Sequence, residues 1–111
     1  MTLARWFARC IVAVALAGAA AQPSHAQADA KQGVTLLMRD CSRCHAVGMT
    51  GNSPRADAPA FRNLGARYPI ESLEEALGEG LMSGHPDMPE IRYDADEVGA
   101  IIDYLNAIQK P

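Results

Sequence analysis

Cys41-Ser42-Arg43-Cys44-His45 is the stretch on which the reading of this 111-residue chain turns. On a helical backbone Cys41 and Cys44 stand at i and i+3, and His45 at i+4 from Cys41, so all three side chains share one face. Cys-x-x-Cys-His is the attachment signature of c-type haem. Two thiols at this spacing can form thioethers with the vinyl groups while the adjacent imidazole reaches the iron from one side. A thioether sulfur such as that of Met88, in the dipeptide Met88-Pro89, can close the opposite side. Two other chemistries use Cys-x-x-Cys and stay open. A redox dithiol of the thioredoxin kind belongs in a βαβ pattern, which the sequence lacks. A zinc site needs a second ligand pair, and after His45 there is no further cysteine and only one further histidine, His85.

The N-terminus points to export, where such thiols are handled. Arg5 and Arg9 form a charged start, and Cys10 to Ala21 is an apolar, alanine-rich run without charge. Small residues follow at Ser24-His25-Ala26 and Ala26-Gln27-Ala28. This is the layout of a secretory signal peptide over residues 1–26, cleaved after Ala26 or Ala28. The apolar run is short for a membrane span, which needs about 20 residues; an uncleaved anchor is the alternative. Cys10 opens the run rather than following it and leaves with the signal, so the mature chain keeps only Cys41 and Cys44 and no structural disulfide is expected.

Residues 27–111 then make one small domain. A chain of this size buries limited apolar surface and usually needs a staple, which a covalently held porphyrin would supply. Of 10 basic residues, losing Arg5 and Arg9 leaves eight against 13 acidic, a balance of −5. The acids concentrate from Glu71 to Glu97, where Arg92 is the lone base, whereas five arginines lie between Arg39 and Arg67. An acidic exterior argues against nucleic acid or an anionic membrane as partner and permits docking to a cationic protein face. A merely solvated surface is the plainer reading of the same charges.

Hydrophobic spacing gives three main helices and no competing strand pattern, an all-α domain. The first runs from about Asp29 into the Cys-x-x-Cys-His stretch, with Val34, Leu37, Met38 and Cys41 as its stripe. The second runs from about Glu71 to Met82, with Leu73, Ala76, Leu77 and Leu81 as its apolar face and Ser72 with Glu75 as a capping box; Gly78 and Gly80 predict an early end. The third begins at Asp94-Ala95-Asp96-Glu97, a capping box with aspartate as cap, and carries Val98, Ile101, Ile102, Leu105 and Ile108. A short helical turn is expected near Phe61 to Gly65, and residues 46–58 read as loop.

This order, an N-terminal helix into Cys-x-x-Cys-His, a loop, a middle helix, a Met-Pro loop and an amphipathic C-terminal helix, resembles the class I c-type cytochromes. The likeness covers Asp29 to Lys110 and is strongest to small bacterial periplasmic mono-haem members. It implies one covalently bound haem c held by Cys41 and Cys44, with helices and loops wrapped around it. By the same resemblance Gly33 and Leu37 match the place where the first helix crosses the last, with Ile101 and Tyr104 as partners; glycine there lets two backbones approach closely. Ala58-Pro59-Ala60-Phe61 resembles the segment whose proline carbonyl accepts a hydrogen bond from the proximal histidine, which makes Pro59 the candidate acceptor for His45 and Pro54 its competitor. An iron-bound imidazole needs such an acceptor to fix its orientation. The mature region has no tryptophan, which some relatives place near a haem propionate; Arg62, Arg67 and Tyr68 are the candidates for that role.

The distal ligand is a choice among neighbours. Met82 ends a helical apolar pattern, which favours core packing. His85 would give a bis-histidine iron of lower potential. Met88 lies in a proline-bounded loop, free to turn inward, and Met-Pro matches the resemblance. Met49 sits too near His45 in sequence. With His45 and Met88 as axial ligands the iron has no open position, and the expected function is that of a periplasmic one-electron carrier rather than an enzyme. Its partners would be a dehydrogenase or quinol-oxidising complex and an oxidase or reductase. A haem subunit of a larger oxidoreductase complex, or a peroxide- or gas-binding protein with a labile Met88, are the alternatives.

Overall fold

The computed structural model describes residues 25–80 and 87–111. The charged start, the apolar run from Cys10 to Ala21, Leu81, Met82 and His85 lie outside the described residues. Three α-helices form, α1 (His25–Asp40), α2 (Glu74–Glu79) and α3 (Ala95–Ile108), with 3-10 helices at Phe61–Ala66 and Ile70–Leu73 between the first two. Among the described residues there is no strand, and the domain is all-α as the periodicity predicts.

Helix α3 forms where a cap and an apolar stripe coincide. The Asp94 carboxylate accepts from the Glu97 backbone N–H at 2.9 Å, and Glu97 accepts from the Asp94 backbone N–H at 3.1 Å. Two orphan amides are thereby satisfied reciprocally. Its buried face is Ala100, Ile101, Ile102, Leu105 and Ile108, with Ile101 wholly enclosed. Against this face lies α1, and the two make the principal helix pair. The crossing is close at Gly33: a Cβ there would collide with the Ala100 carbonyl, standing 2.6 Å from its carbon and 3.0 Å from Tyr104 Cβ. The partners of Gly33 are thus Ala100 and Tyr104, while Ile101 sits beside them in the core.

The stripe expected along α1 needs one correction. Leu36 and Leu37 are buried and Val34 packs against the core, but Met38 is 52% exposed. At about 100° per residue the buried face centres on Gly33 and Leu37, which turns position 38 outward.

The middle helix differs more. Its apolar anchor Leu77 is buried, but Ser72 and Glu75 form no capping box. Pro69 starts the segment one turn earlier, as the 3-10 helix Ile70–Leu73, and the Ser72 backbone N–H already donates to the Pro69 carbonyl at 3.1 Å. Ser72 is therefore inside a turn and has no open amide to cap. The helix stops at Glu79, because Gly80 adopts φ +103° with Glu90 packed against its Cα. Glycine alone takes that backbone conformation without strain.

No helix or strand occurs within residues 46–58, yet this segment is pinned from several sides. The Ala46 N–H donates to Ser53 Oγ (3.0 Å), and the Phe61 N–H returns to the Ala46 carbonyl (3.0 Å). Arg62 donates to the carbonyls of Gly48 (3.3 Å) and Gly51 (2.6 Å). From α3, Tyr104 donates its hydroxyl to the Val47 carbonyl at 3.0 Å.

Candidate functional site

Helix α1 delivers the Cys-x-x-Cys-His stretch and does not stop abruptly. The Cys41 N–H donates to the Leu37 carbonyl (2.8 Å), and the Cys44 and His45 N–H groups both turn back to the Cys41 carbonyl (3.1 and 2.9 Å). Helical winding thus continues through the motif, and Cys41, Cys44 and His45 keep the spacing that puts them on one side. The Ser42 hydroxyl satisfies the Met38 carbonyl, and Arg39 in the last turn complements the helix C-terminus. Both thiols are free and half-buried.

His45 is held on two sides. Its Nδ1 lies 2.8 Å from the Pro59 carbonyl oxygen. A carbonyl only accepts, so Nδ1 donates, and in the neutral ring Nε2 is then the nitrogen with the lone pair. The ring stacks on buried Phe61 at a centroid distance of 4.7 Å and an interplanar angle of 28°. The acceptor on His45 is Pro59, not Pro54.

A second group of residues surrounds Cys41, brought together from distant parts of the chain. Tyr93, buried, donates its hydroxyl to Asp40 at 2.9 Å, and Arg39 grips the same carboxylate at 2.7 and 2.6 Å. The Arg39 hydrogen bond holds the Asp40 carboxyl below the usual carboxylate range, with Tyr93 assisting against the opposing effect of burial. Burial, then Asp40, pushes the Tyr93 phenol well above its ordinary value. Burial together with the Asp40 charge raises the Cys41 thiol to about 11. A thiolate is therefore disfavoured at Cys41. A reactive dithiol needs the thiolate, whereas a thioether is neutral. Two cysteines and one imidazole at helical spacing fit a group joined to two sulfurs and one ring nitrogen.

Met88 stands outside this network. It is half-buried in the segment before α3, and among the described residues no hydrogen bond joins it to His45 or the cysteines. Its link to the motif runs through its neighbour Asp87, whose carboxylate lies 3.0 Å from Arg55. Of the three residues considered for a propionate, Arg62 is engaged by the Gly48 and Gly51 carbonyls, and Arg67 and Tyr68 lie at the surface. The acids of the middle segment line an open cleft between α2 and α3, with Glu71, Glu74 and Glu75 on one wall and Tyr93 and Val98 on the other.

Comparison with known proteins adds one finding. The family model Cytochrome c matches residues 30–109, from within α1 to the residue after α3. No curated protein and no solved structure matches.

Proposed function

Because the chain belongs to the cytochrome c family, whose members bind covalently attached haem c for electron transfer, we propose that it is a periplasmic one-electron carrier in which Cys41 and Cys44 hold the haem and His45 and Met88 ligate its iron. The bound group supplies a reversible one-electron couple between Fe(II) and Fe(III). What the chain contributes is position, exclusion of water and tuning. Pro59 fixes the plane of the His45 ring and, by accepting the Nδ1 proton, strengthens Nε2 as a donor. Phe61 covers one face of that ring. The soft thioether of Met88 favours the reduced state and raises the potential relative to a second imidazole.

His45 and Met88 would hold the iron between them and leave it to supply electron transfer rather than small-molecule chemistry, so the chain would relay electrons between other proteins. The carboxylate-lined cleft supports a cationic partner face. The charged, then apolar, then small-residue layout of the N-terminus supports export and cleavage after Ala26 or Ala28. Among the described residues no helix is long and apolar enough to cross a membrane.

The observation that carries this reading is the 2.8 Å contact of His45 Nδ1 with the Pro59 carbonyl, which leaves the other ring nitrogen available as a ligand on the residue directly after Cys44. The visible spectrum of the haem-loaded protein tests it. Wild-type protein should show the charge-transfer band of iron–methionine ligation near the red end and keep its haem through acid–acetone extraction. Met88→Ala should lose the band, turn high-spin or water-ligated when ferric, and bind cyanide readily; Met88→His should stay low-spin with a lower potential. Met82→Ala and His85→Ala should keep the wild-type spectrum. If Met88→Ala keeps it while His85→Ala loses it, His85 is the ligand and the carrier works at lower potential.

A further inference from the structure

Arg55 is placed where no local sequence rule puts a working residue, between the two sides of the site. Its backbone N–H donates to the Cys44 carbonyl at 3.1 Å, and its carbonyl accepts from the Ala58 N–H at 3.1 Å. One residue beyond Ala58, Pro59 offers the carbonyl that holds His45. The turn containing Arg55 therefore belongs to the proximal side, fixed against the cysteine pair. Its side chain reaches the other way. The guanidinium holds Asp57 at 2.7 Å, which orients it, and Asp87 at 3.0 Å. Asp87 is bonded directly to Met88 in the chain.

We infer that Arg55 is a positioning residue for Met88: its ion pair with Asp87 latches the loop carrying the distal ligand to the turn carrying the proximal ligand's acceptor. This inference rests on the assignment of Met88 made above. The latch works from outside, without touching the iron. When the pair is closed, the backbone at position 88 is tied to the turn that is bonded to the Cys44 carbonyl and leads into Pro59, so one turn supports both His45 and Met88. When the pair opens, Met88 is held by the chain on either side of it and by its own ligation. Arg55 and Asp87 are 44% and 66% exposed, so the pair is screened by water and its effect is modest.

The test uses the haem-loaded mature protein and titrates the ferric form with imidazole, an uncharged competitor that enters only after Met88 leaves. Displacement is followed by loss of the red-end band. Arg55→Ala and Asp87→Asn should each raise the apparent imidazole affinity about two- to fivefold, the range an exposed ion pair allows. Both should shift it in the same direction, because each opens the same pair. A long-range field effect would move the two oppositely, since one variant removes a positive and the other a negative charge. The double variant should go no further than the larger single one, and Arg55→Lys should recover part of the wild-type behaviour. Raising the salt to about 1 M should bring wild type toward the variants and leave the variants unmoved.

Equal affinities for wild type and both single variants, or shifts of opposite sign, overturn the latch. A Met88→Ala control separates this from the ligand assignment. If that control keeps the red-end band, the assignment falls and the latch with it. If it loses the band while the imidazole affinities stay flat, the latch alone falls.

Discussion

Replacing Gly33 with alanine tests the crossing on which the fold depends. The added methyl would lie 2.6 Å from the Ala100 carbonyl carbon and 3.0 Å from Tyr104 Cβ, where unstrained carbon contacts need about 3.5–4.0 Å. The obstacle is backbone within α3 and cannot swing aside, so α1 and α3 must part by about 1 Å. That separation loosens Leu36 and Leu37 against Ile101 and Leu105, all buried in one cluster. Overpacking of this kind costs about 1–3 kcal/mol, and an immovable neighbour puts the change at the upper end. Alanine returns about 0.5–1 kcal/mol through helix propensity. The net loss is about 2 kcal/mol, or a fall of about 8–16 °C in midpoint for a domain of this length. Thermal unfolding of the haem-loaded protein, followed by far-ultraviolet circular dichroism, measures it. Gly99→Ala is the matched comparison: it is exposed in α3, its Cβ would meet nothing within 4 Å, and only the propensity gain remains, so its midpoint should rise. A Gly33→Ala midpoint at or above wild type would refute the argument, since it would mean that the helices do not meet through the backbone at this residue.

Two further outcomes follow from the charges. Asp40 is held below the usual carboxylate range chiefly by Arg39, so its contribution to stability is present above the unfolded carboxylate value of about 4 and is lost as the pH falls through its lower folded value; Asp40→Asn should flatten that part of the acid limb in pH-dependent unfolding curves, and an unchanged acid limb would count against it. If the acidic cleft guides the partner, Glu74→Lys with Glu75→Lys should slow bimolecular electron transfer to a cationic partner at low ionic strength and leave the potential nearly unchanged; a wild-type rate that ignores salt would mean that these acids are only solvated.

What could be read in advance was whatever repeats or sits side by side in the chain. The Asp94–Glu97 box and the apolar stripe of α3 are local, and both form as the spacing predicts. The acceptor for His45 came from the likeness of Ala58-Pro59-Ala60-Phe61 to a family segment, and the structure places Pro59 at His45. The Ser72–Glu75 box has the right letters but begins one turn inside a segment that Pro69 had already started, and letters alone do not reveal where the first open amide lies. Met38 follows the helical spacing yet faces outward, because the close contact at Gly33 rotates α1 about its axis. Tyr93 with Asp40, and Arg55 with Asp87, are pairs between distant segments. No periodicity encodes them, since each depends on how two distant segments come together over a common core.

The same pairs give the two sides of the site different support. The proximal side belongs to a closed circuit of contacts. Helix α1 carries the cysteines and meets α3 at Gly33. Helix α3 holds the following loop through Tyr104 on Val47, and Gln109, which follows α3, holds the Phe61 carbonyl at 2.9 Å. That loop returns Pro59 to His45, directly after the cysteines. Each link is partly buried, so moving His45 requires disturbing the helix pair at the core of the domain. Among the described residues, the segment before α3 meets this circuit through the exposed Arg55–Asp87 pair beside Met88 and, five residues on, through the Tyr93 hydroxyl on Asp40 at 2.9 Å. For a carrier of the kind proposed, this division has a physical consequence. The imidazole is held by the packed circuit, and a Met88 thioether bound to iron would be steadied by a screened ion pair at its neighbour Asp87. The balance between closed and open iron is then set at the Met88 loop, where small changes in charge can shift it without unfolding the domain.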